Sequence, residues 1–111
     1  RQEAVKKIAA LCDVFIVIGA QNSSNSIRLV EVAKLNGAKE SLLLENIEKF
    51  DSKILVNVKN IGLTASASAP EILVQSFIEI LKKKYDIIVN EQDYIPENVN
   101  FKIPQQLKTI N

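Results

Sequence analysis

The chain has 111 residues, of which 47% are hydrophobic and 24% charged, a composition typical of one soluble globular domain. Its 14 basic and 13 acidic residues give a net charge of +1, so no strong field of either sign favours nucleic acid or a membrane surface as the main partner. Because there is no histidine and only one cysteine, a His/Cys metal site, a histidine-dependent triad and an internal disulfide are excluded.

The start of the sequence predicts that it is not a primary translation product. It opens at Arg1 and contains no methionine. Since translation starts at methionine, we expect a processed product or a piece of a longer protein. No apolar run approaches the roughly 18 residues of a membrane span, and no signal-peptide pattern opens the sequence.

The first part of the chain alternates between helical and strand patterns. Apolar residues recur at helical spacing over 4–12 and predict a first helix. The continuous apolar run Val14–Ile18 predicts a strand buried on both faces, as in a parallel sheet covered by helices. After the polar loop 21–26, a second helix is predicted over about 24–36, where Asn36-Gly37 is a C-cap signal.

The second part repeats this alternation. Short strands are predicted at 41–44, within 54–63 and at 87–89. A third long helix precedes the last of these strands and ends in the lysine run 82–84, which suits a helix C-terminus. The remaining tail is polar and contains a weak strand pattern at 99–103.

This order of elements predicts an α/β fold, a three-layer α/β/α domain with a small, mostly parallel four-stranded sheet and an extended C-terminal tail. Residues 1–90 would form the domain, and the tail 91–111 would pack on another part of a larger chain. Right-handed crossovers favour a sheet with the first strand between the second and third. The first and third strands then flank the switch point, where open α/β sheets bind ligands.

Two unusual loops follow these two strands. The first reads Asn-Ser-Ser-Asn-Ser over 22–26, and the second reads Thr-Ala-Ser-Ala-Ser-Ala-Pro over 64–70. Each precedes a helix, whose N-terminal N–H groups and partial positive charge attract anions. Serine hydroxyls donate hydrogen bonds, so the loops predict a phosphate or diphosphate site without lysine. They match neither GxxxxGK[ST] nor GxGxxG.

The same serines also have a purely structural interpretation. Ser68-x-x-Glu71 fits the capping-box pattern, so Ser68 could simply cap the third helix. Ser23 or Ser24 could cap the second helix in the same way. Composition alone leaves both interpretations open.

Two further side chains have alternative roles. Arg28 could touch an anion near the first turn of the second helix, or pair with Glu31 or Glu3 on the surface. Cys12 continues the apolar face of the first helix, and free cysteines are commonly buried. A structural role is therefore predicted for Cys12, and not a metal or redox role.

At the two loops the sequence resembles a known family. The motifs are NSSNSxRL over 22–29, GxTAxASAPExLVQ over 62–75 and the opening RQxAV over 1–5. They resemble the last third of the 4-hydroxy-3-methylbut-2-enyl diphosphate reductases, the IspH or LytB family. The resemblance runs from residue 1 into the tail and loosens after about residue 84.

The resemblance implies an oxidoreductase of non-mevalonate isoprenoid biosynthesis. Two electrons and two protons remove the substrate hydroxyl and give isopentenyl and dimethylallyl diphosphate. It further implies three similar lobes around a 4Fe-4S cluster, an external electron donor, and a location in the bacterial cytoplasm or a plastid-type organelle. The three cluster cysteines, the diphosphate-binding histidines and the proton-donating glutamate would precede Arg1. We therefore expect no cluster, no metal ligand, no catalytic residue and no reductase activity in these residues alone.

The resemblance also assigns roles to individual residues. Ser23, Ser24 and Asn25 match family positions that hydrogen-bond the diphosphate or orient the catalytic acid, and Ser68 matches the serine of the second loop. Ser66 stands where the family usually has glycine, and would be strained if that position needs a positive φ. The expected partners are the allylic diphosphate and the missing N-terminal and middle lobes, with no nucleic acid and no membrane. The alternative is a stand-alone phosphate- or nucleotide-binding module.

Overall fold

A sheet between two layers of helices organises the part of the chain that the computed structural model describes, residues 2–55, 58–66, 69, 72–84, 86–89 and 98–105. Two short 3-10 helices, Ile47–Lys49 and Ser52–Leu55, lie between the second and third strands. No helix among these residues is long and apolar enough to cross a membrane. The remaining elements are α1 (Gln2–Ala9), β1 (Val14–Ile18), α2 (Ser24–Leu35), β2 (Glu40–Leu44), β3 (Asn60–Ala65), α3 (Ile72–Lys84), β4 (Asp86–Val89) and β5 (Asn98–Gln105).

The strand order of the sheet is β2-β1-β3-β5-β4. β1 pairs in parallel with β2 on one side and with β3 on the other. The predicted order, with the first strand between the second and third, is therefore confirmed. β5 is antiparallel to both β3 and β4, so β4 runs in the same direction as the first three strands.

The sheet has one strand more than predicted, and that strand comes from the tail. β5 lies between β3 and β4, with Val99 opposite Leu63 and Asn98 opposite Thr64. The expectation of a four-stranded sheet is thus wrong by this one strand, and the backbone of 98–105 has partners within the domain. The physical reason is that the connection through α3 places β4 one strand position away from β3. The chain then returns, and β5 fills the position between them. That the tail also packs on another lobe stays a prediction.

Side chains of β1 alternate between two apolar cores. Val14, Ile16 and Ile18 contribute to the core that contains Phe77 and other residues of α3. Phe15 and Val17 contribute to the core formed with α1 and α2. Because both faces of β1 are buried, the sheet is the middle of three layers, as predicted.

The predicted C-terminal end of α2 is confirmed. Asn36 is the C-cap residue, and its N–H lies near the carbonyl oxygens of Ala33 and Val32. The Ala38 N–H donates to Ala33 O at 3.2 Å. Gly37 adopts a φ of 119°, the left-handed region that glycine enters without a steric penalty.

Asp13 ties three strands together at the edge where β1 begins. Its Oδ2 accepts hydrogen bonds from the backbone N–H groups of Lys59 at 3.0 Å and Asn60 at 3.1 Å. The Lys39 Nζ lies 3.4 Å from Oδ1. The hydrogen bond from Lys59 is the largest cause that lowers the pKa of Asp13, followed among the lowering causes by the bond from Asn60 and the contact with Lys39.

Asp13→Asn is expected to lower the free energy of unfolding by about 0.5–1.5 kcal/mol at neutral pH, because hydrogen bonds to a charged group are replaced by weaker ones. A folded-state pKa below the unfolded value of about 3.9 stabilises the fold above that value, and this stabilisation is lost as pH falls through the folded pKa. The difference between variant and parent should therefore shrink below about pH 4. Urea denaturation at several pH values measures it.

The control for this prediction is Glu31→Gln, since Glu31 forms an exposed ion pair with Arg28 and such pairs contribute little. The difference in the free energy of unfolding between Asp13→Asn and the parent could also stay the same from neutral to acidic pH. That result would show that the charge of Asp13 does not contribute to stability.

Candidate functional site

The carboxyl ends of three strands meet at one edge of the sheet. Ile18, the last residue of β1, is paired with Leu44 of β2 and Ala65 of β3. The next residues continue the ladder: the Gly19 N–H donates to Leu44 O at 3.1 Å, and the Ser66 N–H donates to Ile18 O at 2.9 Å. The loops after β1 and β3 therefore start side by side.

A buried hydrogen bond joins these two loops. The Oγ atoms of Ser26 and Ser66 are 2.6 Å apart, across 40 residues of sequence. Both residues are fully buried. This contact confirms the convergence of the two loops that the topology predicts.

Gly19 provides the space for this serine pair. A Cβ built on Gly19 would lie closer than 3.0 Å to both hydroxyl oxygens, a separation that a real Cβ does not tolerate without a shift of its neighbours. Glycine at this position therefore lets the two hydroxyls meet against the backbone of the strand end.

Ser23 caps α2. It has extended backbone angles, φ −92° and ψ 117°, and its Oγ accepts the Ser26 N–H at 3.3 Å. The capping interpretation is thus confirmed for this serine. Capping uses Oγ as an acceptor, whereas a hydroxyl also has one proton to donate. The cap is therefore compatible with a hydrogen bond from Ser23 to an anion.

Ser24 and Asn25 form the start of α2 and are exposed. Their N–H groups belong to the first turn, where a helix has no acceptor of its own. The first turn of α2 contains no acidic side chain. The amides, the hydroxyl, the side-chain amide and the helix dipole all favour a negatively charged group at this point.

The second loop is described in part. Ser68 lies outside the described residues, as does Glu71, so their predicted capping box and the predicted role of Ser68 stay predictions. Ser66 anchors the loop instead: besides its bonds to Ile18 and Ser26, its carbonyl accepts the Ala69 N–H at 3.0 Å.

Comparison with known proteins identifies the family. The model of the family described as LytB protein matches residues 1–82. The chain belongs to the LytB family.

Two curated relatives of this LytB-family chain carry the name 4-hydroxy-3-methylbut-2-enyl diphosphate reductase. The relative from Rhizobium meliloti is 44% identical over 110 residues, which are 99% of this chain and 31% of the relative. The relative from Gluconobacter oxydans is 48% identical over 107 residues, 96% of this chain and 32% of the relative. The chain thus spans about a third of the length of these relatives.

Two solved structures have a similar fold. One is the reductase from Plasmodium falciparum, with a TM-score of 0.68 and 38% identity over 73% of this chain and 25% of that one. The other is described as (E)-4-hydroxy-3-methyl-but-2-enyl diphosphate reductase, the terminal enzyme of the non-mevalonate pathway. It has a TM-score of 0.68 and 32% identity over 75% of this chain and 29% of that one.

Cys12 of this LytB-family chain is unsuited to metal binding. It is 4% exposed, and its Sγ donates to Ile8 O at 3.0 Å. Burial, and secondarily the charge of Asp13, raises the pKa of the Cys12 thiol to about 12. A metal or cluster ligand must be a thiolate, so the described cysteine does not fit an iron–sulfur cluster. Among the described residues, no three His, Cys, Asp or Glu side chains group as metal ligands.

Arg28 lies on the surface of α2. Its Nη1 is 3.6 Å from Glu31 Oε1, and the two side chains are 60% and 58% exposed. The surface pairing that the sequence left open is therefore the one observed. Exposed pairs of this kind contribute about 0–1 kcal/mol, so the contact does not hold Arg28 away from an anion.

An open groove of about 1070 Å³ lies beside the carboxyl end of β2 and reaches Gln21 in the loop after β1. It is lined by Gln21, the segment 43–49 and side chains of α3. Its charged lining residues are three glutamates and two lysines, Glu45, Glu48, Glu79, Lys49 and Lys83, so its charge does not favour an anion. Ser23, Ser24, Ser26 and Ser66 do not line it. The candidate anion site is therefore the meeting point of the two loops.

Proposed function

We propose that this chain is the diphosphate-binding lobe of a 4-hydroxy-3-methylbut-2-enyl diphosphate reductase. The curated relatives carry this name, and this chain corresponds to about a third of their length. The observation that carries the proposal is the Ser26–Ser66 hydrogen bond. It brings the second loop against the first turn of α2, where hydroxyl and amide donors face solvent.

The proposed task of these residues is to hold the substrate by its charged end. Ser23, Ser24 and Asn25 donate hydrogen bonds to the diphosphate oxygens, and Ser68 donates from the second loop. The diphosphate is retained in the reaction, which adds two electrons and two protons and releases the hydroxyl as water. Fixing the charged end orients the allylic end towards the groups that react.

The redox chemistry is assigned to other parts of the enzyme. In the proposal, a 4Fe-4S cluster supplies electrons to the substrate, and its cysteines lie outside these 111 residues. The protonated, buried Cys12 thiol takes no part. No catalytic step is assigned to this lobe, and the isolated chain is expected to lack reductase activity.

Binding by this lobe alone is expected to be weak. Each hydrogen bond to a charged group contributes about 1.5–3 kcal/mol, and a helix N-terminus adds about 0.3–1 kcal/mol. Association entropy offsets much of this gain, and the proposed histidines of the intact enzyme are missing. We expect a Kd for inorganic pyrophosphate near 1 mM, which corresponds to about −4 kcal/mol.

The proposal is tested by titrating the 111-residue chain with pyrophosphate and following amide resonances. Asn25→Asp is the decisive variant. An acidic residue in the first turn stabilises a helix but repels an anion, so the variant should fold at least as well as the parent and bind at least about tenfold more weakly. Lys82→Gln changes the net charge equally at the exposed C-terminal end of α3 and should bind like the parent.

Three results would decide against the proposal. Equal binding by Asn25→Asp and Lys82→Gln would exclude the α2 N-terminus as the site. Absence of any pyrophosphate-dependent shift at tens of millimolar would exclude the lobe as a diphosphate binder. Tighter binding of a nucleotide than of pyrophosphate would favour a nucleotide-binding module instead.

A further inference from the structure

The Ser26–Ser66 pair joins two elements that the proposed ligand must bridge. Ser26 lies in the first turn of α2, directly after Ser23, Ser24 and Asn25. Ser66 follows the last residue of β3, two positions before Ser68 in sequence. The Oγ–Oγ distance of 2.6 Å is at the short end for O–H···O bonds.

We propose that Ser26 and Ser66 are positioning residues, whose mutual hydrogen bond sets the spacing between the two anion-binding loops. The inference rests on the proposed function for its ligand. Neither hydroxyl needs to touch the diphosphate, because both are fully buried. Ser26 acts through Ser24 and Asn25, which precede it in sequence and are exposed. Ser66 acts through the loop that follows it.

Backbone contacts make each serine a rigid point in its own loop. The Ser26 N–H donates to the Ser23 Oγ at 3.3 Å, so Ser26 is coupled to the cap of α2. The Ser66 N–H donates to Ile18 O at 2.9 Å, and its carbonyl accepts the Ala69 N–H at 3.0 Å. The hydrogen bond between the two hydroxyls therefore fixes the start of α2 relative to the carboxyl ends of β1 and β3.

The surroundings of the pair leave it little freedom. Gly19 lies so close that a Cβ there would collide with both hydroxyl oxygens. Breaking a hydrogen bond in a buried site costs free energy. Close packing and the hydrogen bond thus restrain the pair, which favours a fixed spacing of the two loops before a ligand binds.

The alternative is that the pair only stabilises the fold, and Ser41 offers a matched control. Its hydroxyl donates to Val30 O at 2.9 Å and so also ties α2 to the sheet, but it lies at β2, away from the two loops. Ser41→Ala removes one serine hydrogen bond of the helix–sheet contact without touching the loop junction.

The test measures the pyrophosphate affinity of Ser26→Ala, Ser66→Ala, the double variant and Ser41→Ala, at a temperature where all are folded. A positioning role predicts that each single variant at the pair binds about three- to tenfold more weakly, and that the double variant is no weaker than the singles because they act as a unit. Ser41→Ala should bind like the parent even where its Tm falls. Parent-like affinity of both pair variants, with a lowered Tm, overturns the proposal.

A second measurement requires no ligand. Hydrogen exchange of the Ser26 and Ile27 amides reports the first turn of α2, since the Ile27 N–H donates to Ser23 O at 3.1 Å. Ser66→Ala should accelerate their exchange severalfold, and Ser41→Ala should not. If the parent fails to bind pyrophosphate, the proposed function falls while this result still decides the positioning role. Unchanged exchange in Ser66→Ala overturns it.

Discussion

Replacing Gly62 with alanine is expected to lower the free energy of unfolding by about 1–3 kcal/mol, the usual cost of overpacking a core. Gly62 lies in the middle of β3, beside Phe15 of β1. A Cβ at this position would lie 2.5 Å from Phe15 Cδ2 and 2.7 Å from Cys12 Sγ. Both neighbours are buried, and the Phe15 ring has no exposed side to which it could move.

Glycine normally weakens a strand, so Gly62→Ala would be expected to stabilise the fold if nothing lay close to position 62. Whether the substitution stabilises or destabilises therefore depends on the Phe15 ring. Alanine in place of glycine restricts the unfolded chain and by itself stabilises by about 0.4–1 kcal/mol. The clash must exceed this gain for the variant to be less stable. The close approach of an aromatic ring to a strand glycine is a recognised reason for glycine in a strand interior.

Urea denaturation of four proteins separates the clash from other effects: parent, Gly62→Ala, Phe15→Ala and the double variant. Phe15→Ala alone is costly because it opens a cavity, by about 3–5 kcal/mol. In that background the contacts with the Phe15 ring are gone and the contact with Cys12 Sγ remains, so Gly62→Ala should cost less than in the parent. Additive effects of the two substitutions would contradict the proposed contact between ring and strand.

The central sheet was predictable because its signals are local. The run Val14–Ile18 is apolar at every position, which is typical of a strand covered on both faces. The C-cap signal Asn36-Gly37 depends on backbone angles that glycine adopts at no cost. Right-handed crossovers then left few strand orders, and the order with β1 between β2 and β3 is the one observed.

The position of β5 could not be derived in the same way. Its segment alternates between asparagine, lysine and apolar residues, a weak strand pattern that fits an arm as well as a sheet. β4 could pair directly with β3 or lie one strand position away from it, leaving a gap. Which of these occurs depends on the path of α3 across the sheet, and local sequence patterns do not predict that path. The pairing of Asn98–Gln105 with Asn60–Ala65 is a non-local contact, and its antiparallel direction follows only once that gap exists.

In the candidate site, too, some features were predictable from the sequence and others were not. Residue types and topology predicted that the two loops converge, and the N-cap role of Ser23 was one of two stated alternatives. The contact between Ser26 and Ser66 was not predicted, since the sequence does not record which of several loop serines meet across 40 positions. In the sequence, Ser66 is distinguished only by standing where the family usually has glycine. The neighbouring Gly19 carries the signal that was missed: a glycine directly after a buried strand can mark a close approach of other groups.

Gly19→Ala is expected to separate the two loops and to lower the free energy of unfolding by about 1–3 kcal/mol. The added methyl group collides with the hydroxyl oxygens of Ser26 and Ser66 at once. To relieve the clash, the serines must move apart, which breaks their hydrogen bond in a buried site. Pyrophosphate binding should weaken at least as much as in Ser66→Ala, measured by titration at a temperature where the variant is folded.

The Ser26→Ala/Ser66→Ala background provides the internal control for this variant. With both hydroxyls removed, the next neighbour of the new methyl group is the Cβ of residue 26 at 3.1 Å, a tight contact but one that a small shift relieves. Gly19→Ala should therefore cost less than half as much in this background as in the parent, because the alanine methyl occupies space that the hydroxyls have left. An equal cost in both backgrounds would mean that the backbone of the strand end, and not the serine pair, requires glycine. The loop spacing would then be set by the sheet alone.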